Sequence, residues 1–370
     1  MIKFNKKIMT IVAIRPDAIR LSEVIKKLDQ NFNHVLVHTG QHYDKILSDV
    51  FFEELGLREP DYNLQVGAEG REHFQQTAKL FEKIIPLARK VKPDLIIFLG
   101  DSNSVLAVVP LRKEGFTIAH IEAGMRSGDK RMLEEINRIT CDHASNYHFV
   151  YHENNKINLL REGLPHQNIF VVGNTIVEPV VFKIEDMSRE MRLRPSHEPY
   201  FLVDIHRPEN FRNKQRMDMI FEFIESRETL LNAKPKMLNF PRTTHAIKDY
   251  DLRYQIQEED MIDLVNFGDH LILQMDALFV LSDSGTDMEQ PSLFDKPVIV
   301  PRSYHERQES VDNGCSFILK RGVEYMAIDW LRHKINDTRY INSDWLYPPN
   351  YKTDKRGTSE RIIDKIKEII

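Results

Sequence analysis

The stretch Ile8-Met9-Thr10-Ile11-Val12-Ala13-Ile14-Arg15-Pro16-Asp17-Ala18-Ile19-Arg20-Leu21 reads as a buried strand that runs directly into a helix. Ile8 to Ile14 carries no charge and is rich in branched side chains, as an interior strand of a parallel sheet requires. Pro16 sits where the first turn of a helix accepts its fixed φ and missing N–H. Leu21, Val24, Ile25 and Leu28 then follow at i, i+3, i+4 and i+7, one face of a helix.

Outward from this unit the alternation repeats. His34–His38, Asp94–Leu99, Thr117–Ile121, Tyr147–Val150 and Ile169–Val172 read as further strands. After Gly173-Asn174 the pattern restarts with Tyr200–Val203, Ile262–Val265, Ala277–Leu281 and Pro297–Val300. Strands alternating with helices predict parallel sheets covered on both faces. The expected fold class is therefore α/β, with two Rossmann-like domains facing a cleft. The expected domains are 1–174 and 175–352. A last helix in 353–370, with Ile362, Ile366 and Ile369 on one stripe, packs back on the first domain. Glu185 to Pro199 suits a linker or a surface helix.

Composition bounds the chemistry. A chain of 370 residues exceeds a single typical core. A net charge of −5 gives no basic surplus for nucleic acid, so any phosphate must be met by local arginines. Two cysteines, Cys141 and Cys315, are too few for a disulfide framework or a Cys-rich zinc site. The apolar run near the N-terminus is too short for a secretory signal, and no 18-residue apolar run occurs. A cytoplasmic protein with no membrane partner is expected.

In open parallel sheets ligands sit beyond the carboxyl ends of the strands, and the chemistry-bearing residues of this chain follow strands. Arg15 and Arg20 flank a helix start, where free N–H groups and the helix dipole favour an anion such as a diphosphate. Asp101 follows one strand, Glu122 the next, and Glu134 lies just downstream. Clustered carboxylates raise one another's pKa and so can pass protons near neutrality. Asp101 equally suits an N-cap, and Glu134 and Glu135 a helix N-terminus. Three sites at one sheet edge favour the chemical reading. In the second half His206-Arg207 follows a strand and suits a leaving phosphate. Ser284 and Gly285 form a small-residue anion cradle, Glu289 one turn on suits ribose hydroxyls, and Glu306-Arg307 follows a further strand. None of these groups has metal-ligand spacing, and no Gly-x-Gly-x-x-Gly, Walker loop or Gly-x-Ser-x-Gly elbow occurs. Neither metal nor cofactor is expected.

Taken in order, Arg15-Pro16-Asp17-Ala18-Ile19-Arg20, His38-Thr39-Gly40-Gln41-His42, Gly100-Asp101-Ser102-Asn103-Ser104, His120-Ile121-Glu122-Ala123-Gly124, Glu134-Glu135-Ile136-Asn137-Arg138, Gly173-Asn174-Thr175, His206-Arg207, Asp283-Ser284-Gly285 and Glu306-Arg307 resemble the motifs of the non-hydrolysing UDP-N-acetylglucosamine 2-epimerase family. The resemblance spans about residues 8 to 370. It implies a glycosyltransferase-B-type fold, a homodimer and a UDP-sugar substrate used for surface polysaccharide. The reaction it implies is loss of the C2 proton and of UDP to a 2-acetamidoglycal, then re-addition with the proton on the other face. On this basis Asp101, Glu122 and Glu134 handle protons, and His206 assists the departing phosphate. Arg15, Arg20, Ser284 and Gly285 hold the diphosphate, and Glu289 holds the ribose. Gln41 and His42 line the place where some members bind a second, activating UDP-sugar. Arg126, Arg138, Arg207 and Arg307 are further substrate-binding candidates within the same motifs. The chain departs from the family pattern at Ala13-Ile14, Leu133, Pro208, Thr286, Gln290-Pro291 and Phe240. A glycosyltransferase and a non-catalytic nucleotide-sugar sensor remain alternatives on the same fold.

Overall fold

The structure, a computed structural model, describes residues 4–40, 52–67, 73–189, 198–231, 233–252, 256 and 258–370. The chain divides into two compact units, Met1–Pro179 with Leu346–Ile370, and Val180–Trp345. Each is built on one all-parallel sheet.

The first unit carries β1 (Phe4–Val12), β2 (Phe32–His38), β3 (Tyr62–Asn63), β4 (Leu95–Leu99), β5 (Ile118–Ile121), β6 (Tyr147–Val150) and β7 (Ile169–Val171) in the spatial order β3-β2-β1-β4-β5-β6-β7. The chain moves outward from β1 in one direction, then returns to its other side at β4. The place between β1 and β4 is the topological switch point, where helices leave opposite faces and a crevice opens beyond the strand ends. The helix after β1 runs Arg15–Asn31 and buries Leu21, Val24, Ile25 and Leu28, the stripe that its spacing predicts.

The last helix, Thr358–Ile369, packs on Arg15–Asn31 and buries Ile362, Ile363 and Ile366. Glu178 caps its start. The carboxylate accepts the Ser359 N–H at 2.7 Å and the Ser359 hydroxyl at 2.6 Å. An acid at a helix N-terminus satisfies donors that the helix itself cannot.

The second unit repeats the design with β8 (Tyr200–Asp204), β9 (Lys234–Leu238), β10 (Met261–Ile262), β11 (Val280–Ser282), β12 (Val298–Val300) and β13 (Ser316–Ile318), ordered β10-β9-β8-β11-β12-β13. Its switch point lies between β8 and β11. The core beneath gathers Phe201, Val203, Ile220, Phe221, Ile224, Phe279 and Leu281.

Three strands escape a reading based on apolar runs: β3, β9 and β13. The reason at β9 is visible. Its sequence is Lys-Pro-Lys-Met-Leu, and a proline normally demotes a run from the sheet. Pro235 pairs only with Phe201 on the β8 side, because β10 reaches no further than Met237 and Leu238. The missing N–H thus faces no strand. Two further segments are shorter than expected: β10 ends at Ile262, and β11 begins at Val280, not Ala277. Among the described residues no helix is long and apolar enough to cross a membrane.

Candidate functional site

In the first unit the residues after β1, β4 and β5 converge. The Arg15–Asn31 helix starts three residues past the end of β1, and Asp17, in its first turn, accepts the Ala13 and Ile14 N–H groups, each at 3.2 Å. The side chain is buried. Burial pushes its pKa up to about 8, against the pull of the Ile14 and Ala13 N–H bonds, and the charges of Asp101 and Glu122 push the same way. Three carboxyl groups therefore sense one another at this switch point. Asp17 is the one that the motif reading did not single out.

Arg15 and Arg20, paired in the sequence reading, have different surroundings. Arg15 is exposed at the first helical position. Arg20 is buried, donates to Asn174 Oδ1 at 3.2 Å, and places Nε 3.5 Å from Glu122 Oε2. Glu122 itself adopts φ +69°, a left-handed backbone that costs about 1–3 kcal/mol for a residue with a Cβ. The neighbouring Gly124 also has positive φ, and a Cβ there would stand 2.3 Å from the Asn155 carbonyl oxygen. The turn that presents Glu122 is therefore fixed from both sides.

Asp101 pairs with Arg138, whose other amino group meets Glu135 at 2.8 Å. The Asp101 carbonyl accepts the Asn137 amide at 2.9 Å. Both Arg138 and Asn137 belong to the Leu133–Ala144 helix, so that helix holds the residue following β4. Glu134 and Glu135, adjacent in sequence, separate cleanly. Glu135 is buried and also accepts the N–H groups of Ser127 and Gly128 at 2.9–3.1 Å, a structural duty. Glu134 is half-buried in the first turn of the helix.

Below this edge lies a charged support. The His120 ring nitrogens face two acceptors, Asp142 Oδ1 at 2.7 Å and the Gly100 carbonyl at 2.8 Å. Only a doubly protonated ring can donate to both. Burial opposes that charge, but Cys141 and Asp142 raise the His120 pKa well above its ordinary value. Arg126 joins the same support, donating to Asp142 at 2.8 Å and to Glu162 at 2.7 Å. Its donors serve the fold of the Gly124 turn, and Arg138 likewise serves Asp101 and Glu135. Gln41 and His42 lie outside the described residues.

In the second unit His206 stands two residues past the end of β8. Asp283, after β11, accepts the backbone N–H groups of His206 and Arg207, each at 3.0 Å, and the Asn210 amide at 2.8 Å. One buried aspartate thus shapes the loop that carries the histidine. The ring is half-buried, packs 4.9 Å from Phe240, and sets Nδ1 2.6 Å from Asp204 Oδ1. Its pKa is raised to about 9: burial opposes the charge, Asp204 and Asp283 favour it, and Arg207 opposes it.

Ser284 and Gly285 form the turn after β11. A Cβ on Gly285 would lie 2.6 Å from Arg307 Nη1 and 2.8 Å from Glu306 Oε1, so a side chain there would displace the ends of these two side chains. Glu289 is wholly buried and accepts from Arg307 Nε at 2.7 Å. Two candidate ligand residues therefore pair with each other. Arg302, also wholly buried, approaches Glu306 and Glu209 at 3.5 and 3.6 Å and was not singled out from sequence. Its signal was its place directly after β12. The groups Asp204, His206 and Asp283, and Asp204, His270 and Asp287, have polar atoms within 4.8 Å of one another, a spacing that suits a cation. Asp204 and Asp283 also take up hydrogen bonds from the His206 ring and from the loop that carries it.

The family model described as UDP-N-acetylglucosamine 2-epimerase matches residues 26–367. A UDP-N-acetylglucosamine 2-epimerase of Methanocaldococcus jannaschii is 36% identical over 327 residues, covering 85% of this chain and 88% of that protein. A UDP-2,3-diacetamido-2,3-dideoxy-D-glucuronate 2-epimerase of Pseudomonas aeruginosa is 34% identical over 338 residues, 90% of this chain and 93% of that protein. Among solved structures, the M. jannaschii UDP-GlcNAc 2-epimerase in complex with UDP-GlcNAc and UDP superposes with a TM-score of 0.85 at 32% identity, covering 98% of this chain and 99% of that one.

Proposed function

The chain belongs to the UDP-N-acetylglucosamine 2-epimerase family, and on that premise we propose that it inverts C2 of a UDP-linked 2-acetamido sugar by elimination and re-addition of UDP. The observation that carries this reading is the carboxyl cluster at the first switch point, where the buried Asp17 lies within the field of Asp101 and Glu122. Inversion at a carbon bearing hydrogen needs one group to take a proton and another to deliver one to the opposite face. Glu122, Asp101 and the half-buried Glu134 supply carboxyl groups for these two duties. As the C2 proton leaves to a carboxylate, the C1–O bond breaks to UDP and a 2-acetamidoglycal forms. UDP then adds back as the proton returns to the other face.

The departing diphosphate gathers charge, and the second unit supplies donors for it. His206, charged up to about pH 9, stabilises the leaving phosphate, with the Ser284-Gly285 turn beside it. Arg15, exposed at a helix start, is suited to a phosphate, whereas Arg20 serves as the counter-charge of Glu122. The relatives act on sugars that differ at C3 and C6, so the proposed substrate class is the UDP-linked 2-acetamido sugars as a whole. The proposed setting is the cytoplasm, in supply of a surface polysaccharide.

We also propose a homodimer. Phe74, Val109, Leu133 and Ile136 are exposed on neighbouring helices of the first unit, an apolar surface that a second copy would cover. The test of function is incubation with UDP-GlcNAc and with UDP-2,3-diacetamido-2,3-dideoxyglucuronate, followed by separation of the C2 epimers. Formation of one epimer pair at equilibrium is expected. Transfer of the sugar to an acceptor, or binding with no turnover, would contradict the reading.

A further inference from the structure

His206 is one end of a buried chain of ionisable groups. Asp204 and His206 are two apart at the end of β8, the spacing that puts side chains on one side of a strand. Asp283 is committed to the His206 and Arg207 N–H groups and to Asn210, and its Oδ1 lies 3.5 Å from the ring, which leaves Asp204, at 2.6 Å, as the partner of Nδ1. The second oxygen of Asp204 lies 3.7 Å from His270 Nε2. Asp287, with a carboxylate oxygen within 4.8 Å of Asp204, is buried and accepts the Ser282 hydroxyl at 2.8 Å and the Gln274 amide at 2.9 Å.

Two buried carboxyl groups this close to each other disfavour a second negative charge. Burial and the Asp204 charge push Asp287 well above the ordinary carboxyl range. Asp204 stays below that range despite its burial, because His206 and His270 favour its charge. Asp204 is therefore the member of the pair that favours the charged form, and its Oδ1 meets His206 Nδ1 at 2.6 Å.

We propose that Asp204 is a positioning residue that holds His206 as an imidazolium and fixes Nε2–H as the proton presented to the leaving diphosphate. This rests on the role of His206 given above. Taking the Nδ1–H settles the ring orientation, as a carboxylate does for any catalytic histidine it accepts from. It also keeps the charge that an ordinary histidine would have largely lost by pH 7.5. Arg207 works in the opposite direction, so the charge depends on Asp204 and Asp283 together.

The experiment is nitrogen-15 NMR of the histidine rings in the full chain, with His206 assigned by its absence in His206→Asn. In the parent protein both His206 nitrogens should be protonated at neutral pH and titrate near pH 9. Asp204→Asn should bring that titration towards 6.5 and move the alkaline limb of turnover down by about two pH units, with UDP affinity within about tenfold. Asp287→Asn leaves the contact between Asp204 and His206 Nδ1 in place and should leave the titration within about half a unit. A parent His206 that titrates near 6.5, or an alkaline limb that does not move in Asp204→Asn, would overturn the proposal. Titration near 9 in a protein that turns over no UDP-sugar would support the dyad and defeat the proposed function instead.

Discussion

Arg20 and Glu122 form a buried ion pair, with Nε 3.5 Å from Oε2 and both side chains less than a tenth exposed. The pair joins the helix after β1 to the residue after β5. Removing one partner of such a pair strands a charge, at a typical cost of about 3–5 kcal/mol. Arg20→Ala should therefore lower stability by about 3 kcal/mol in urea unfolding. Adding Glu122→Gln should recover part of that loss, because the stranded charge is gone. Strictly additive losses in the double variant would show that the two side chains are not coupled.

Glu134 and Glu135 make a natural control for each other. Glu134→Gln should cut turnover by about 10² or more, with little change in unfolding midpoint, as expected for a proton-transfer group on a half-buried side chain. Glu135→Gln should instead lower stability by about 1–3 kcal/mol, because its buried acceptors serve Ser127, Gly128 and Arg138. The reverse assignment of effects would overturn the division of roles. Asp101→Asn and Glu122→Gln should resemble Glu134→Gln in turnover.

How much of this was visible in the sequence depends on the kind of feature. The β1-to-helix unit was legible because the run Ile8–Ala13 is buried throughout and the helix stripe repeats every turn, although the strand itself ends at Val12. Strand β9 was not, since its two lysines and proline hide a strand whose outer neighbour is only two residues long. Glu122 and His206 were legible as residues at strand ends. What could not be read was how arginines are spent. Arg126 and Arg307 read as ligand donors in sequence, and the ion pairs they make, with Asp142 and Glu162 and with Glu289 and Glu306, had no signal there. The buried partners Asp17 and Asp204 were passed over because a carboxylate beside a motif residue looks like ordinary loop composition until the fold places it.

Asp17 should leave a signature in the pH dependence of stability. In the unfolded chain its carboxyl ionises near 3.8, and in the fold near 8. Between those values the folded state holds one more proton, so stability contributed by Asp17 is complete below about 4 and is lost as pH rises to about 8. Asp17→Asn removes this slope. Relative to the parent, the variant should gain stability between about pH 5 and pH 8.5 in urea unfolding. A difference that does not vary with pH would contradict the raised pKa.

The proposed dimer predicts a solution mass of twice the 43.5 kDa of one chain by light scattering. Leu133→Asp and Phe74→Asp should reduce it to one chain, because each puts a charge into the apolar surface. A monomeric parent protein would remove the proposal.

The central claim is that the enzyme takes the proton from C2, and proton NMR in D2O tests it most directly. With UDP-GlcNAc or its 3-acetamido uronate relative, the account predicts that the C2 proton signal disappears as deuterium enters from solvent, in both the starting sugar and its epimer. It further predicts that Asp101→Asn, Glu122→Gln and Glu134→Gln slow that exchange together with epimer formation. An epimer formed with its original C2 proton retained, or exchange that persists at full rate in all three amide variants, would contradict it.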